Sequence, residues 1–324
     1  MSQTQQLISR SGAGFRGQPI PGIAVSKQQW AQAARDLADG GIALLSLWAS
    51  EGAVHMALMD KAGKQIAILR LSLQGKTFPA VSRWHLPALR LERTISDLFG
   101  YQPDGAVDSR PWLDHGRWKI AHPMTDQSPA EKAAPYDFLP VVGESLHKVA
   151  VGPVHAGIIE PGHFRFTVQG ESVVRLEQRL GYVHKGIDRL MQGASLQRGA
   201  ELAGRTSGDS TVAYAWAFAE AAESALGIVP PERALWLRCL MAELERLANH
   251  LGDIGAVCND ASFALIHAHT SVLREHVLRA SDACFGHRMM RDKIIPGGVG
   301  VDLSREGKQT LTDLLEIIRK RYDD

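Results

Sequence analysis

The sequence is poor in cysteine. Cys239, Cys258 and Cys284 are the only three in 324 residues, and they lie 19 and 26 residues apart. That spacing excludes a disulfide framework and offers none of the close pairs that hold structural zinc or an iron–sulfur cluster, so a reducing, cytoplasmic setting is expected. An excess of one charge is also lacking, with 36 basic residues set against 35 acidic ones. Such a balance gives no electrostatic case for nucleic acid or for a polybasic membrane anchor, and partners must be recognised by shape and local chemistry. Long apolar runs are missing as well. The most apolar stretch, Ala213 to Val229, is interrupted by Glu220 and Glu223, so no direct membrane span is expected. The opening MSQTQQLISRSGAG has no apolar core of signal-peptide length, and nothing in it points to export.

What the chain does have is bulk. With 45% hydrophobic side chains in 324 residues it can bury a substantial core, and two domains are the default expectation. Residues 1–24 are expected to be a flexible N-terminus. A short amphipathic helix follows from Trp30 to Leu37, and then three apolar runs, IALLSLWAS, VHMALMD and QIAILRLSL, read as strands joined by tight turns. LPALRLERTISDLFG predicts a helix that stops at Gly100. Residues 25–122 therefore read as an α+β domain, 123–148 as a linker rich in Pro, Asp, Ser and Ala, and 149–324 as a second domain.

The second domain opens on strands around HFRFTV and the residues after Gly170, and is expected to be a mainly α-helical bundle thereafter. LEQRLGYVHKGIDRLMQG carries apolar residues at helical spacing, although Gly181 and Gly186 weaken it as one unbroken element. Asp209 to Leu226 predicts an Ala-rich helix. Pro230-Pro231 opens another, with Leu237, Leu240, Leu244, Leu247, Leu251 and Ile254 as its buried stripe. Ala264 to Phe285 predicts a further helix, and Ser304 caps a final one through Leu311, Leu314, Leu315 and Ile318. The glycines of IPGGVGVDL lack the preceding strand and the Lys-Ser/Thr ending of a nucleotide loop, and read as a turn.

Six blocks in order, GPVHAGIIEPGHFRF, YVHKGIDRL, RTSGDS, LGIVPPERA, LMAELERLANHL and IPGGVGVDL, carry a resemblance. Residues 152–303 resemble the large subunit of energy-converting (group 4, hydrogenase-3 and formate hydrogenlyase type) nickel–iron hydrogenases and the related 49 kDa subunit of complex I. LERTISDLFGY resembles the ERExxDLFG signature of the complex I 30 kDa subunit, with Thr94 in place of its second acidic residue. The resemblance implies an α+β domain fused to a hydrogenase large subunit/complex I 49 kDa-like domain, incomplete at its C-terminus relative to that family. It also implies an iron–sulfur small subunit and membrane-arm subunits as partners, with the chain peripheral on the inner face of the cytoplasmic membrane.

The departures from the family pattern matter as much as the matches. In active family hydrogenases RxCGxC supplies two of the thiolates around nickel and iron, whereas here Ser207 and Ser210 occupy those positions and no DPCxxC follows before Asp324. A serine hydroxyl stays protonated near neutral pH and is a hard donor, so no metal ligand, no nickel–iron centre and no other cofactor is expected in this chain. The complex I quinone motif keeps its first histidine as His155, but its second falls on Ile159 and its tyrosine on Gly208. A shifted pocket around Tyr182 or Tyr214 is the remaining option for quinone.

Catalytic roles fall by resemblance on Glu160, His163 and Arg205, and a cofactor-binding role on His155. Glu160 matches a family glutamate that passes protons, and it equally reads as a solvated turn acid before Pro161. His155, His163 and His184 read either as site residues or as histidines bound to backbone carbonyls. Arg205 with Asp209 reads as a plain salt bridge. Glu243, Arg246 and His250, with the adjacent pair Glu245 and Asn249, read either as a polar track through a bundle or as an exposed helix face. Two functions stay open: a redox subunit coupling electron transfer to ion translocation, and a non-catalytic scaffold of the same kind of assembly. A freestanding binding module is a remote third.

Overall fold

The structure is a computed structural model that describes residues 2–11, 20–125, 129, 136–155 and 159–322. Contacts divide the chain into two compact units, Met1–His184 and Lys185–Asp324. Mixed sheets and helices build the first, and helices dominate the second.

The first unit begins with α1 (Gln3–Ser11), β1 (Gly22–Ala24) and α2 (Lys27–Ala38). The segment expected to be flexible over 1–24 therefore carries regular structure. Ile8 is fully buried in the core, and the Thr4 N–H donates to Asp36 at 3.1 Å, which fastens α1 to α2. Residues 12–19 of that expectation lie outside the described residues. Ser26 and Gln29 form a reciprocal capping box that starts α2. The three apolar runs are β2 (Ile42–Ser50), β3 (Ala53–Asp60) and β4 (Ile66–Ser72), antiparallel in sequence, and β1 pairs parallel to β4 to complete the order β1-β4-β3-β2. Trp30, fully buried, donates its indole N–H to the Pro79 carbonyl at 3.0 Å.

β5 (Thr77–Pro79) pairs parallel to β6 (Gln102–Asp104), and between them a 3-10 turn at Leu86–Ala88 leads into α3 (Leu89–Phe99). Ile95, Leu98 and Phe99 bury the apolar face of α3. Its charged residues are used inward too. Glu92 is wholly buried and accepts the N–H groups of Val81 and Ser82. Asp97 accepts those of Trp112, Leu113 and Asp114 at 2.8, 2.7 and 3.3 Å. Arg93 donates to the carbonyls of Arg110 and Pro111 at 2.6 and 2.8 Å. LERTISDLF is thus a set of loop fasteners on one helix.

β7 (His147–Val151), β8 (His163–Gln169) and β9 (Ser172–Arg179) form an antiparallel three-stranded sheet in sequence order. The helical reading of LEQRL is corrected here, because Leu176 to Arg179 pair with β8 as strand. The chain turns at Gly181, whose φ of +94° and whose approach of an added Cβ to 2.9 Å from the Leu113 carbonyl oxygen leave no room for another residue. Of the expected linker 123–148, residues 126–128 and 130–135 lie outside the described residues. Its later part is tied down. Tyr136 donates to the Gln178 carbonyl at 3.2 Å, the Leu139 N–H donates to Glu177 at 3.0 Å, and Arg110 donates to Glu177 at 2.9 Å. These contacts put the β7–β9 sheet in the first unit, so the contact boundary falls at His184/Lys185 and later than the boundary expected near residue 149.

The second unit runs α4 (Ile187–Met191), α5 (Leu196–Ala203), α6 (Thr211–Leu226), α7 (Glu232–Asp260), α8 (Ala264–Phe285), the short hairpin β10 (Ile294–Ile295) and β11 (Gly298–Val299), and α9 (Arg305–Tyr322). Val212, Ala215 and Ala219 of α6 meet Leu237, Met241, Leu244 and Leu251 of α7 in one core with Leu273, Val277 and Phe285 of α8. Two apolar positions of the expected stripes face outward, Ile254 at 38% exposure and Leu315 at 50%. Ser304 accepts the Gly307 N–H at 3.0 Å and starts α9. IPGGVGVDL forms the β10–β11 hairpin and not a nucleotide loop.

A buried ion pair holds that hairpin. Arg238 of α7, fully buried, bonds both carboxylate oxygens of Glu223 on α6, at 2.5 and 3.1 Å, and donates to the carbonyls of Ile295 and Gly298 at 2.9 and 3.0 Å. The Gly297 N–H donates to Glu223 at 2.7 Å. Burial alone would raise the Glu223 carboxyl, but these hydrogen bonds hold it below the ordinary glutamate value. Arg238→Ala leaves a buried carboxylate and two carbonyls unpaired, and is expected to cost about 3–5 kcal/mol in urea unfolding of the full chain.

A second expectation concerns Glu92. Burial pushes its carboxyl above 4.5 despite the hydrogen bonds from Ser82 and Val81. The folded state therefore favours the neutral acid, and this stabilisation is complete below the unfolded value and lost as pH rises through the folded one. Glu92→Gln stays neutral throughout. The urea midpoint of the wild type relative to Glu92→Gln should fall between about pH 4 and about pH 7, and a rise would contradict the assignment.

Candidate functional site

The expected site residues fall in two places. His155, Glu160 and His163 lie in the first unit around the start of β8, and Arg205, Ser207 and Ser210 lie in the second between α5 and α6.

In the first unit His163 and His155 both approach Gly152. His163 bonds the Gly152 carbonyl through Nδ1 at 3.2 Å, and Arg165 donates its Nε–H to His163 Nε2 at 3.2 Å. Both ring nitrogens are thus engaged. This imidazole meets Phe138 edge to face, with ring centres 5.4 Å apart, and the Arg165 guanidinium stacks 3.8 Å from the centre of the same phenyl ring. His155 packs on Phe164 at 5.7 Å. Gly152 has no alternative at this crossing: its φ is +80°, and an added Cβ would lie 2.0 Å from the Gly162 carbonyl oxygen. Glu160 is exposed, and no described residue bonds to it. Its neighbours 156–158 lie outside the described residues.

In the second unit the expected Arg205–Asp209 bridge is corrected. Arg205 instead grips Asp292 with two parallel bonds, Nη1 to Oδ1 at 2.5 Å and Nη2 to Oδ2 at 2.8 Å. It also donates to the Glu201 carbonyl. The pair holds the Asp292 carboxyl below its ordinary value and raises the Arg205 guanidinium further. Asp209 is left for the serines: Ser207 donates to its Oδ1, and Ser210 lies 3.5 Å from the same atom. Lys185 donates to the Thr206 carbonyl at 3.1 Å.

Of the polar track on α7, Glu243 and Arg246 form an exposed pair at 3.4 Å and His250 is exposed, whereas Glu245 and Asn249 face the turn. Asn249 donates to the Asp209 carbonyl at 2.6 Å, and Glu245 accepts the N–H groups of Val212 and Ala213 at 2.6 and 3.1 Å. Burial, with Asp209 nearby, pushes the Glu245 carboxyl up against those bonds. Asp209, Glu245 and Asn249 line a small cavity with Arg274, Arg288 and Met289.

The donors around residues 205–210 are hydroxyl, carboxylate, amide and guanidinium groups. They do not fit a nickel–iron centre, whose bridging ligands are thiolates. Among the described residues no group of three or more His, Cys, Asp and Glu is arranged to hold a metal ion. The two tyrosines of the shifted-pocket option fall in different units. Tyr182 lies beside Arg179 in the first unit, 5.6 Å from its guanidinium, and Tyr214 stands 45% exposed on α6 of the second.

Sequence reasoning misses Asp292, which sits 87 residues beyond its arginine and carries no motif. An exposed bidentate pair of this kind contributes little: Asp292→Asn, which suits the positive φ of +63° there, should cost no more than about 1 kcal/mol in thermal or urea unfolding. A loss several times larger would show that the pair carries the turn.

No protein-family model matches the chain. Formate hydrogenlyase subunit 5 of Escherichia coli (strain K12) is 28% identical over 286 residues, covering 84% of this chain and 50% of its own length. Hydrogenase-4 component G of the same organism is 30% identical over 273 residues, or 80% of this chain and 49% of its own length. An NADH-quinone oxidoreductase subunit of Dehalococcoides mccartyi is 30% identical over 179 residues, 54% of this chain and 48% of its own. The chain thus spans about half the length of the curated relatives it matches. A chain of the membrane-bound sulfane sulfur reductase, an archaeal respiratory membrane complex, shares the fold with a TM-score of 0.53 at 21% identity, over 57% of this chain and 50% of that one. The chain is thus related to subunits of formate hydrogenlyase, hydrogenase-4 and NADH-quinone oxidoreductase.

Proposed function

We propose that this chain is a subunit of a membrane-associated, hydrogenase-like or NADH:quinone oxidoreductase-like complex, taking part in electron transfer coupled to ion translocation. The observation that carries the reading is collinear similarity over four-fifths of the chain to subunits of formate hydrogenlyase and hydrogenase-4. In that setting residues 25–122 correspond to a complex I 30 kDa-like domain, 123–148 to a linker and 149–324 to a hydrogenase large subunit/complex I 49 kDa-like domain. Its partners are an iron–sulfur small subunit and membrane-arm subunits. The chain sits peripherally on the inner face of the membrane, and among the described residues no helix is long and apolar enough to cross one.

A second reading, a non-catalytic coupling scaffold, is favoured by one specific observation. The polar groups of the 205–210 turn are engaged with one another, with α7 and with Asp292: Arg205 binds Asp292, Ser207 binds Asp209, and Asn249 binds the Asp209 carbonyl. Of the residues to which the resemblance gives roles, His163 has both ring nitrogens bound and Arg205 is paired. Glu160 stands exposed, with no bond to a described residue. His155, packed on Phe164, keeps the cofactor-binding role only by resemblance.

The intact complex, purified through this subunit, should bring down an iron–sulfur protein and integral membrane subunits, and should contain far less than one nickel per copy by elemental analysis. Near-stoichiometric nickel bound to this chain would overturn the assignment of its turn. Hydrogen-dependent viologen reduction or quinone-linked oxidation that is abolished by Glu160→Gln would select the catalytic reading over the scaffold.

A further inference from the structure

We infer that the groove between the free edge of β2 and the Trp84–Leu86 segment is a docking site for an extended segment of another chain, apolar at alternate positions and carrying a carboxylate. The inference goes beyond the assembly reading and does not depend on it.

β2 is the outer strand of the sheet β1-β4-β3-β2 and pairs with β3 alone. The Lys61 N–H donates to the Gly41 carbonyl at 3.2 Å, and Ala43 stands opposite Met59. Hydrogen bonding in an antiparallel ladder alternates along each strand, so residues 41 and 43 face β3 whereas Ile42 and Leu44 turn their N–H and C=O groups the other way. No described residue bonds those outward groups. An edge of this kind recruits further strands, and natural sheets blunt it with charge, proline or a cover. The strand IALLSLWAS has neither charge nor proline. Further along it Leu47 and Ala49 are buried, but Leu44 is half-buried and Leu45, in the bulge before Ser46, is 46% exposed. The accessible part of the edge is its first half.

Beside that half lies an open groove of about 550 Å³, lined by Ile42, Leu44, Trp84 and Leu86 with Lys61 and His85 as its polar side chains. Two large apolar groups there are left in water, Trp84 at 46% exposure and Leu86 at 66%. A strand laid along β2 sets every second side chain against them. No carboxylate is among the described lining residues, and Lys61 makes no ion pair with a described residue. Burial, with Lys61 nearby, holds the His85 imidazole below its ordinary value, which leaves Lys61 as the charged group of the lining at neutral pH. Arg83 stacks on Trp84 with its guanidinium 5.7 Å from the ring centre and adds a second positive charge beside the groove. A free alkyl carboxylate satisfies Lys61 but leaves the Leu44 N–H and C=O unpaired. An extended peptide with an acidic side chain satisfies the backbone, the apolar wall and the cation together.

The test is photo-cross-linking in living cells, with p-benzoylphenylalanine in place of Leu86 of the full chain and mass-spectrometric sequencing of the joined peptide. The expected product joins this chain to one segment of a different chain that alternates apolar residues and contains Asp or Glu. Its yield should fall at least about fivefold in Leu44→Pro, which removes the outward N–H, and in Lys61→Glu, which reverses the charge. Lys148→Glu on β7 should leave the yield within about twofold. Should Leu44→Pro fail to fold, Lys61→Glu, an exposed substitution, carries the test alone. A product with a second copy of this chain or with lipid, a joined segment without a carboxylate, no product, or a yield within about twofold of the parent in either folded variant overturns the inference. Copurification of membrane subunits is read separately, so failure here and failure of the proposed function are told apart.

Discussion

A backbone N–H that leaves water must find an acceptor, and in both units of this chain the acceptor is repeatedly a carboxylate carried on a helix or strand. Glu92 takes the amides of Val81 and Ser82, Asp97 those of residues 112–114, Glu177 that of Leu139, Glu223 that of Gly297, and Glu245 those of Val212 and Ala213. Each of these bonds ties an irregular segment or a helix start to a regular element. Desolvating a carboxylate is costly, and two or three amide donors offset much of that cost. The competition is visible in the directions of titration. Glu92, Asp97 and Glu245, which bond no cation among the described residues, are pushed up, whereas Glu177 and Glu223, which also meet an arginine, are held down.

That device explains what is legible in the sequence and what is not. Local signals are readable. The periodicity from Trp30 to Leu37 predicts a helix, which the structure extends back to Lys27 through the Ser26–Gln29 capping box, and the apolar runs after residue 40 predict three strands that the sheet contains. LERTISDLF is readable as a motif but not as a mechanism. Its charged residues act on backbone groups up to 18 positions away, and amides look the same in every residue. Sequence proximity pairs Arg205 with a nearby acid, Asp209, when the true partner lies beyond α8. The strand at Leu176 passes for helix because Leu176, Leu180 and Val183 recur at helical spacing, while the deciding fact is the pairing with β8.

The candidate site is legible as an absence before it is legible as a structure. Ser207 and Ser210 fix that thiolate chemistry is not available at the turn, and the geometry adds where the turn's remaining polar groups go. His163 reads from sequence as a site residue or as a histidine tied to backbone, and the second description fits its bond to Gly152. The polar filling of this turn stands beside similarity to formate hydrogenlyase and hydrogenase-4 subunits over four-fifths of the chain.

The β10–β11 hairpin shows what such an arrangement permits over evolutionary time. Arg238 and Glu223 hold it through two carbonyls and one amide, bonds that any side chain at those positions would leave in place. Replacement is restricted at Gly297, whose φ is +91°, and at Ile294, which is buried in the core, whereas exposed Ile295 is free to change without loosening the grip. The constraint is concentrated in two positions: if either member of the ion pair changed alone, the other would be left buried without its counter-ion. Substitution here is expected to be permissive on the surface and coupled in the core.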